Sequence, residues 1–425
     1  MREMKNSGVA WIGNIPDSWE VAKIGQLFQC RNVKVNDTDF QPLSVSKGGI
    51  VPQMENVAKS DANDNRKQVL TGDFVINSRS DRKQSCGVSK LEGSVSLINT
   101  VLYNFDKGKV IPEYNDYLLK NYGFAEEFYR WGHGIVADLW TTRWQEMKNI
   151  EIPVPSIKTQ EAILSALRIK SKNISLLISN QEQQIEKLKQ YKQSLITEVV
   201  TKGLNPDVPM KDSGIEWIGI ISAIHNIYRL KYLLNSQMLY GANEAGSFYT
   251  NNAVRYIRIT DITEDNKLKD SAENLYLSIE KATPYILKDK DILFARSGAT
   301  VGKAFMYLNE YGKSAFAGYL IKAECNTQKL LPEYLFYYTQ SSLYEYWKNM
   351  IFIQATIQNI GANKYSNMPI IQMSLDEQNQ IVKFLDDKCA KIDRLIAIKQ
   401  EKIDKLNDYK KSLIYEYVTG KKEVC

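Results

Sequence analysis

Between residues 174 and 199, apolar side chains recur in alternating steps of four and three: Ile174, Ile178, Ile185, Leu188, Leu195 and Val199, with Gln181 and Lys192 as polar interruptions. That spacing is a heptad seam, one stripe of a helix turned toward a partner helix. It recurs as Ile392, Ile396, Lys399, Ile403, Leu406, Lys410, Leu413 and Tyr417. The two copies lie 218 positions apart without a gap, as Gln160 with Gln378 (378 − 160) and Tyr191 with Tyr409 (409 − 191) show. The surrounding segments, 156–203 and 374–421, hold no Gly or Pro before their last few residues and are rich in residues that lose little rotamer freedom in a helix. They predict two long helices. The polar interruptions fall at equivalent places, where they can fix register and partner choice. Ser374 and Glu377 have the spacing of a capping box, whereas Ser156 is followed by Thr159 where Glu would complete one. A coiled coil of this kind can serve as a strut alone. Two copies in one chain most simply pack on each other, and pairing of each with a separate partner is compatible, because a helix has more than one face.

Outside the helices the pattern shortens to strand-like runs at 73–77 and 291–295. Each is followed by a small, basic, turn-forming segment: Ser78, Arg79, Ser80, Asp81, Arg82 and Lys83 in the first, Arg296 to Lys303 in the second. The Pro-Glu-Tyr of 112–114 matches that of 332–334, and each opens a helix-like aromatic stretch that ends near Trp131 or Trp347. The N-terminal run Ser7, Gly8, Val9, Ala10, Trp11, Ile12, Gly13 reappears at 213–219, here 206 positions on (217 − 11). The copy then departs, with Ser222 at the place of Pro16 and His225 at that of Trp19, before Lys23, Ile24, Leu27 and Phe28 align with Arg229, Leu230, Leu233 and Leu234. The chain therefore reads as a tandem duplication of the α+β class: a globular block (1–155), a helix (156–204), a second block (205–371) and a second helix (372–425). Two copies this long are one domain pair used twice, not a solenoid.

At 425 residues the chain has room for about three domains. Its 44% apolar and 24% charged content is ordinary for a globular protein. The net charge of +6 permits nucleic-acid binding without requiring it, since many lysines sit on the helices. Cys30, Cys86, Cys325, Cys389 and Cys425 match no metal or disulfide spacing. With no signal peptide and no apolar run of membrane-spanning length, a reduced cytoplasmic protein is expected, without a membrane partner.

The basic turns carry the candidate chemistry. Turns of this composition can deliver Arg to guanine edges and Lys or hydroxyls to phosphates, and a solvated loop has the same composition. Their recurrence after equivalent strands favours function. The candidate DNA-binding residues are Arg79, Arg82 and Lys83 in the first block, and Arg296, Ser297, Thr300 and Lys303 in the second. Catalytic chemistry is sparse. The segment 298–303 is one residue short of a phosphate loop and is followed by Ala304 instead of Ser or Thr. His133 and His225 lie far apart without a metal-ligand pattern, and Gly132-His133-Gly134 reads as a turn. No Asn-Pro-Pro-Tyr or Asp-Pro-Pro-Tyr motif of an amino-methyltransferase occurs, and Asp17, Glu20 and Lys23 lack nuclease spacing. No catalytic and no metal-binding residues are predicted, which favours a recognition protein over an enzyme.

Three sets of residues together resemble the specificity (S) subunit of a type I restriction–modification system: 212–219 with its N-terminal copy, the strand and basic turn of 72–79 with 291–298, and the helix starts 153–160 and 371–378. The resemblance covers essentially the whole chain and rests on the architecture and the repeated helix more than on any single motif. The chain departs from the pattern around Ser222 and His225 and in the dissimilar filling of its two blocks, the second departure being what the family implies. The resemblance implies two target-recognition domains alternating with two long helices that pair as an antiparallel coiled coil about a pseudo-two-fold axis. Each domain would read half of a split double-stranded DNA target. A helix of about 45 residues spans roughly 68 Å, or about 20 base pairs, an upper bound on the separation of the half-sites. Two methyltransferase (M) subunits that methylate adenine and restriction/translocase (R) subunits would be the partners. S-adenosylmethionine, ATP and magnesium would belong to those partners, with no cofactor in this chain and no catalysis of its own. The rival readings are a divergent DNA methyltransferase and a scaffold that joins partner subunits without reading DNA.

Overall fold

The computed structural model describes residues 2–53, 65–106, 108–134, 140–248, 252–263, 266–269, 273–298, 300–353 and 359–424. Ala299 and Cys425 lie outside the described residues. The chain divides into two compact units, Met1–Glu182 with Gln400–Cys425, and Gln183–Lys399.

The first unit begins with a hairpin, Met4–Asn6 against Asn14–Pro16, whose connection holds the Ser-Gly-Val-Ala-Trp-Ile-Gly run. Ser7 Oγ accepts the Val9 N–H at 3.2 Å, and the Val9 carbonyl accepts the amides of Ile12 and Gly13. Gly8 and Gly13 have φ of 77° and 70°, a region that favours glycine. The second unit repeats this turn between Met210–Asp212 and Ile220–Ser222, with Ser213 Oγ on the Ile215 N–H and Gly214 and Gly219 at 73° and 71°. The repeated motif is thus a folding device. Only its tryptophan changes employment: Trp11 donates to the Glu151 carbonyl at 3.1 Å, while Trp217 stacks on Tyr346.

Each unit then builds a four-stranded antiparallel sheet. The order in the first is Cys86–Val88, Phe74–Asn77, Asn99–Asn104, Phe28–Cys30. In the second it is Ala304–Met306, Ile292–Ala295, Leu320–Ala323, Leu239–Tyr240. The expected strands are present, and their continuous apolar runs are buried on both faces. Register agrees between the units: Cys86 pairs with Ile76 as Ala304 pairs with Phe294, every residue shifted by 218. An aspartate precedes each strand in the same role. Asp73 accepts the Leu70 N–H and a bidentate contact from Arg31; Asp291 accepts the Lys288 N–H and faces Lys322 at 3.4 Å. Burial pushes the Asp291 carboxyl upward, partly opposed by the Lys288 amide and Lys322.

The long helices are Ile157–Lys202 and Leu375–Val418. The start of one and the end of the other complete each core. In the first unit Ile163, Leu167, Leu413 and Val418 join Phe28, Phe74, Tyr114 and Ile152. In the second, Ile381, Leu385, Ile196 and Val200 join Phe294, Ile321, Tyr334 and Ile370. Each fully buried Leu, Ile or Phe contributes about 1.5–3 kcal/mol. The repeated glutamine explains why the helix starts recur so closely. Gln160 accepts the Ile111 N–H at 2.9 Å and donates to the carbonyls of Lys109 and Pro155. Gln378 accepts the Leu331 N–H at 2.8 Å and donates to the carbonyls of Lys329 and Met373. Both side chains are fully buried, so each amide must be satisfied from within.

The helices pair along the predicted seam. Ile174, Ile185, Ile392, Ile403 and Leu413 are buried; Ile178, Leu188, Leu195, Ile396 and Leu406 are half-buried. Off-seam Ile169, Leu176, Leu395 and Ile398 are exposed. In the second unit Lys192 meets Asp393 at 2.7 Å and Lys399 reaches back to Gln184, an antiparallel order. In the first, Lys410 donates to Ser175 Oγ at 2.9 Å. Lys410 and Ser175 stand at the register of Lys192 and Asp393, so the polar interruptions are partnered by equivalent positions. Of the two helix starts, neither closes a full capping box. Ser156 Oγ accepts the Thr159 N–H and meets its hydroxyl; Ser374 Oγ accepts the Glu377 N–H, but the Glu377 carboxylate turns to His225 Nε2 at 2.9 Å.

Candidate nucleic-acid interface

The two basic turns close the same corner of the two sheets. In the first unit the Ser78 N–H donates to the Ile98 carbonyl, the Ser78 carbonyl accepts the Thr142 N–H at 3.0 Å, and Arg79 bridges Thr141. In the second the Arg296 N–H donates to the Tyr319 carbonyl, the Arg296 carbonyl accepts the Ile360 N–H at 2.8 Å, and Ser297 bridges Asn359. The backbone therefore sets Ser78 in register with Arg296, and Arg79 with Ser297. The turns are equivalent, and their arginines are one residue out of step.

That single step changes what each arginine does. The Ser78 side chain is buried, with its hydroxyl 3.1 Å from that of Thr100. Arg296 takes the same inward place and lays its guanidinium over the Tyr240 ring at 5.0 Å, a favourable cation–π arrangement. Among the described residues its Nε is buried without a hydrogen-bond partner. The ring beneath it is fixed, because the Ala362 N–H donates to the Tyr240 hydroxyl at 2.9 Å. Arg79 faces outward, its Nε 3.1 Å from Asp81. Arg82 is 65% exposed and 3.6 Å from the same carboxylate. Lys83 is held by Glu126 and lies 5.0 Å over the Tyr129 ring. The first turn thus presents two arginines sharing one acid, which leaves net positive charge facing solvent.

In the second turn the Gly298 carbonyl accepts the Val301 N–H and the Thr300 carbonyl accepts the Lys303 N–H. Gly298 and Gly302 sit at φ of 81° and 84°, and the Tyr344 hydroxyl donates to the Gly302 carbonyl at 2.6 Å. The Lys303 ammonium donates to the Thr263 carbonyl. Ser297 and Thr300 remain half-buried at the rim. The segment 298–303 runs from strand to strand. No helix follows it, so it lacks the helix N-terminus that lets a phosphate loop hold phosphate.

Other residues around these turns carried no readable signal in the sequence. Arg143 is exposed two residues past the Arg79–Thr141 bridge. With Lys67, Leu97, Ile98 and Gln145 it lines an open cleft of about 750 Å³. Tyr319, whose carbonyl anchors Arg296, is 63% exposed. A concavity mixing cations, amides and exposed aliphatics can meet phosphates, base edges and thymine methyl groups. Both histidines have structural roles: His225 is fully buried against Glu377, and His133 forms an antiparallel bridge with Thr141. Among the described residues no group of three or more His, Cys, Asp or Glu side chains is arranged to hold a metal ion. No described helix is long and apolar enough to cross a membrane.

Residues 231–408 match the family described as type I restriction modification DNA specificity domain. This match places a type I specificity domain in the second half of the chain. Among its relatives is the type I restriction enzyme MjaVIII specificity subunit of Methanocaldococcus jannaschii, 24% identical over 284 residues. That alignment takes in 64% of this chain and 62% of the relative, so the chain spans less than two thirds of that relative's length. The MjaX specificity subunit of the same organism is 23% identical across 96% of this chain and 95% of the relative. A chain from a solved structure concerned with complex assembly and conformational transition of the type I R-M system has the same fold. Its TM-score is 0.70 at 14% identity, covering 95% of this chain and 98% of that one. The family match begins in the second block and ends in the second long helix. The first half repeats the sheet, turn, glutamine and seam of the matched half in the same register.

Proposed function

We propose that this chain is the DNA sequence-specificity subunit of a type I restriction–modification assembly. Blocks 1–155 and 205–371 act as target-recognition domains, and 156–204 with 372–425 as the helical segments that join them. One observation carries the reading: a single strand-and-turn framework occurs twice in the same register, with unlike side chains at the rim. Arg79 stands where the other unit has Ser297, and Ser78 where it has Arg296. A framework kept while its rim is exchanged suits two domains that read different halves of a split duplex target. Arg79, Arg82 and Lys83 serve the first half-site; Arg296, Ser297 and Thr300 serve the second, with Lys303 bracing the turn. Bidentate arginine contacts to guanine are the commonest specific readout, and a guanidinium pre-oriented on a tyrosine ring loses less freedom on docking.

In this reading the chain is not itself catalytic. It places two methyltransferase subunits, which bring S-adenosylmethionine, at adenines of the target. Restriction/translocase subunits bring ATP and magnesium and act on unmodified DNA in the cytoplasm. The test is the methylation pattern of DNA from cells carrying this chain with its methyltransferase partner, against cells lacking the chain. A split adenine-methylated motif that vanishes with the chain is expected. Arg79→Ala should relax one half of that motif, and Arg296→Ala or Ser297→Ala the other. Methylation indifferent to the chain would refute the proposal.

A further inference from the structure

The first unit holds a second basic concavity that the reading turns do not account for. It is an open cleft of about 950 Å³ between the helical hairpin after the sheet and the last turns of the second long helix. Among the described residues Lys47, Lys120, Lys410 and Lys411 line it, with Asp116 as the one carboxylate. That acid is already engaged, since Asp116 Oδ1 accepts the Val88 N–H at 2.9 Å. Lys47 stands exposed at the tip of the hairpin joining Leu43–Ser46 to Gly49–Pro52. Among the described residues neither Lys47 nor Lys120 has an ion-pair partner. Lys410 donates to a neutral serine, and Lys411 pairs with exposed Asp408.

The equivalent concavity of the second unit is less cationic. Gln340 replaces Lys120 and Gln193 replaces Lys411, while Lys192, at the Lys410 position, is paired with Asp393. Lys189 and Lys267 also line that concavity, with Glu186 and Asp393 as its carboxylates, and Glu333 and Asp386 line an adjoining one. One fold thus carries the same cleft twice, with four lysines to one carboxylate in the first unit and three lysines to two carboxylates in the second. The more cationic one also adjoins the reading turn, because Gln84 lines both it and the slot beside Arg79 and Lys83.

We propose that the lysine-lined cleft of the first unit grips the phosphodiester backbone of duplex DNA beside the half-site read by the Arg79 turn. It adds affinity without sequence preference, and more on that side of the target than on the other. The inference rests on the DNA-reading function proposed above. Lysine ammonium groups suit this role as point charges that neutralise phosphates and release counterions. Their spread over a hairpin tip, a helical hairpin and a long helix suits an extended polyanion better than a single small anion.

The experiment uses the full chain assembled with its methyltransferase partner. It measures binding to a duplex with the mapped target and to a scrambled duplex from 50 to 200 mM salt. The variant Lys47→Gln/Lys120→Gln/Lys411→Gln leaves the seam residue Lys410 in place. It should bind both duplexes about tenfold more weakly at low salt and flatten the salt slope by about two to three. The methylated motif should stay unchanged. Gln193→Lys/Gln340→Lys in the second unit should steepen the slope, a gain that misfolding cannot mimic. Equal affinity and slope in wild type and both variants would overturn the cleft. A wild type that binds both duplexes alike, with the triple variant weakened, would overturn sequence reading and leave the cleft standing. No duplex binding by the wild type would overturn both.

Discussion

Replacing Gln160 with leucine tests the main structural claim, that a buried amide locks each long helix onto its block. Leucine nearly preserves volume. It strands the Ile111 N–H and the carbonyls of Lys109 and Pro155, which Gln160 satisfies at 2.8–2.9 Å. An unsatisfied buried polar group costs about 1–3 kcal/mol, and the apolar side chain returns about 1–2 kcal/mol. With partial relaxation of the carbonyls, the net loss should be about 3–5 kcal/mol, a large share of the roughly 5–15 kcal/mol that holds a domain together. Hydrogen exchange read by mass spectrometry localises the effect. Protection should fall in peptides covering 109–118 and 156–167 and persist in 329–338 and 375–385. Gln378→Leu should reverse the pattern, because its three partners are the same in kind. Gln160→Glu sharpens the test. At pH 7 it buries a carboxylate against two carbonyls; on acidification the protonated group regains a donor, so stability should rise as pH falls through its elevated pKa. A loss below about 1 kcal/mol for Gln160→Leu, or equal loss of protection in all four segments, would refute the argument.

Further consequences can be checked separately. Tyr240→Ala should relax the half-site attributed to Arg296 almost as far as Arg296→Ala does, whereas Tyr240→Phe, which keeps the ring but releases it from the Ala362 N–H, should relax it less. Ser175→Asp gives Lys410 the carboxylate that Lys192 already has in Asp393, and should raise the unfolding free energy by about 0.3–1 kcal/mol at low salt, less at high salt; no gain would mean that the two seam sites are not equivalent. Burial pushes the Cys86 thiol up to about 12 and that of Cys389 up to about 11, so iodoacetamide at pH 8 should leave both unmodified until the chain unfolds, with mass spectrometry as the readout. Because the folded-state pKa of Cys86 lies above its ordinary 9.0, the stability tied to its neutral form is intact below pH 9. It declines as pH climbs toward 12, and Cys86→Ser should blunt that alkaline loss in a pH series of unfolding midpoints.

Local chemistry determined a great deal. The heptad seam, the strands ahead of the basic turns and the glycine-punctuated hairpin are set by residues within a few positions of one another. A 218-residue repeat of such patterns could be read without knowing any contact. The sequence also marked Gln160 and Gln378 as equivalent, though not why, since two of the three partners of each lie 47 to 51 positions upstream. Tertiary structure decided the rest. The bridges of Arg79 to Thr141 and Ser297 to Asn359 show what the one-step offset of the two arginines does, turning one outward and the other inward. The roles of Tyr240 under Arg296, of Arg143 beside Lys67 and of the lysines around Gln84 depend on segments far apart in the chain. Glu377 could not be seen to abandon its capping box, because His225 reaches it across 152 positions. Periodicity and turn chemistry are written along the chain. The charge and shape of a surface are sums over residues that meet only when the chain has folded.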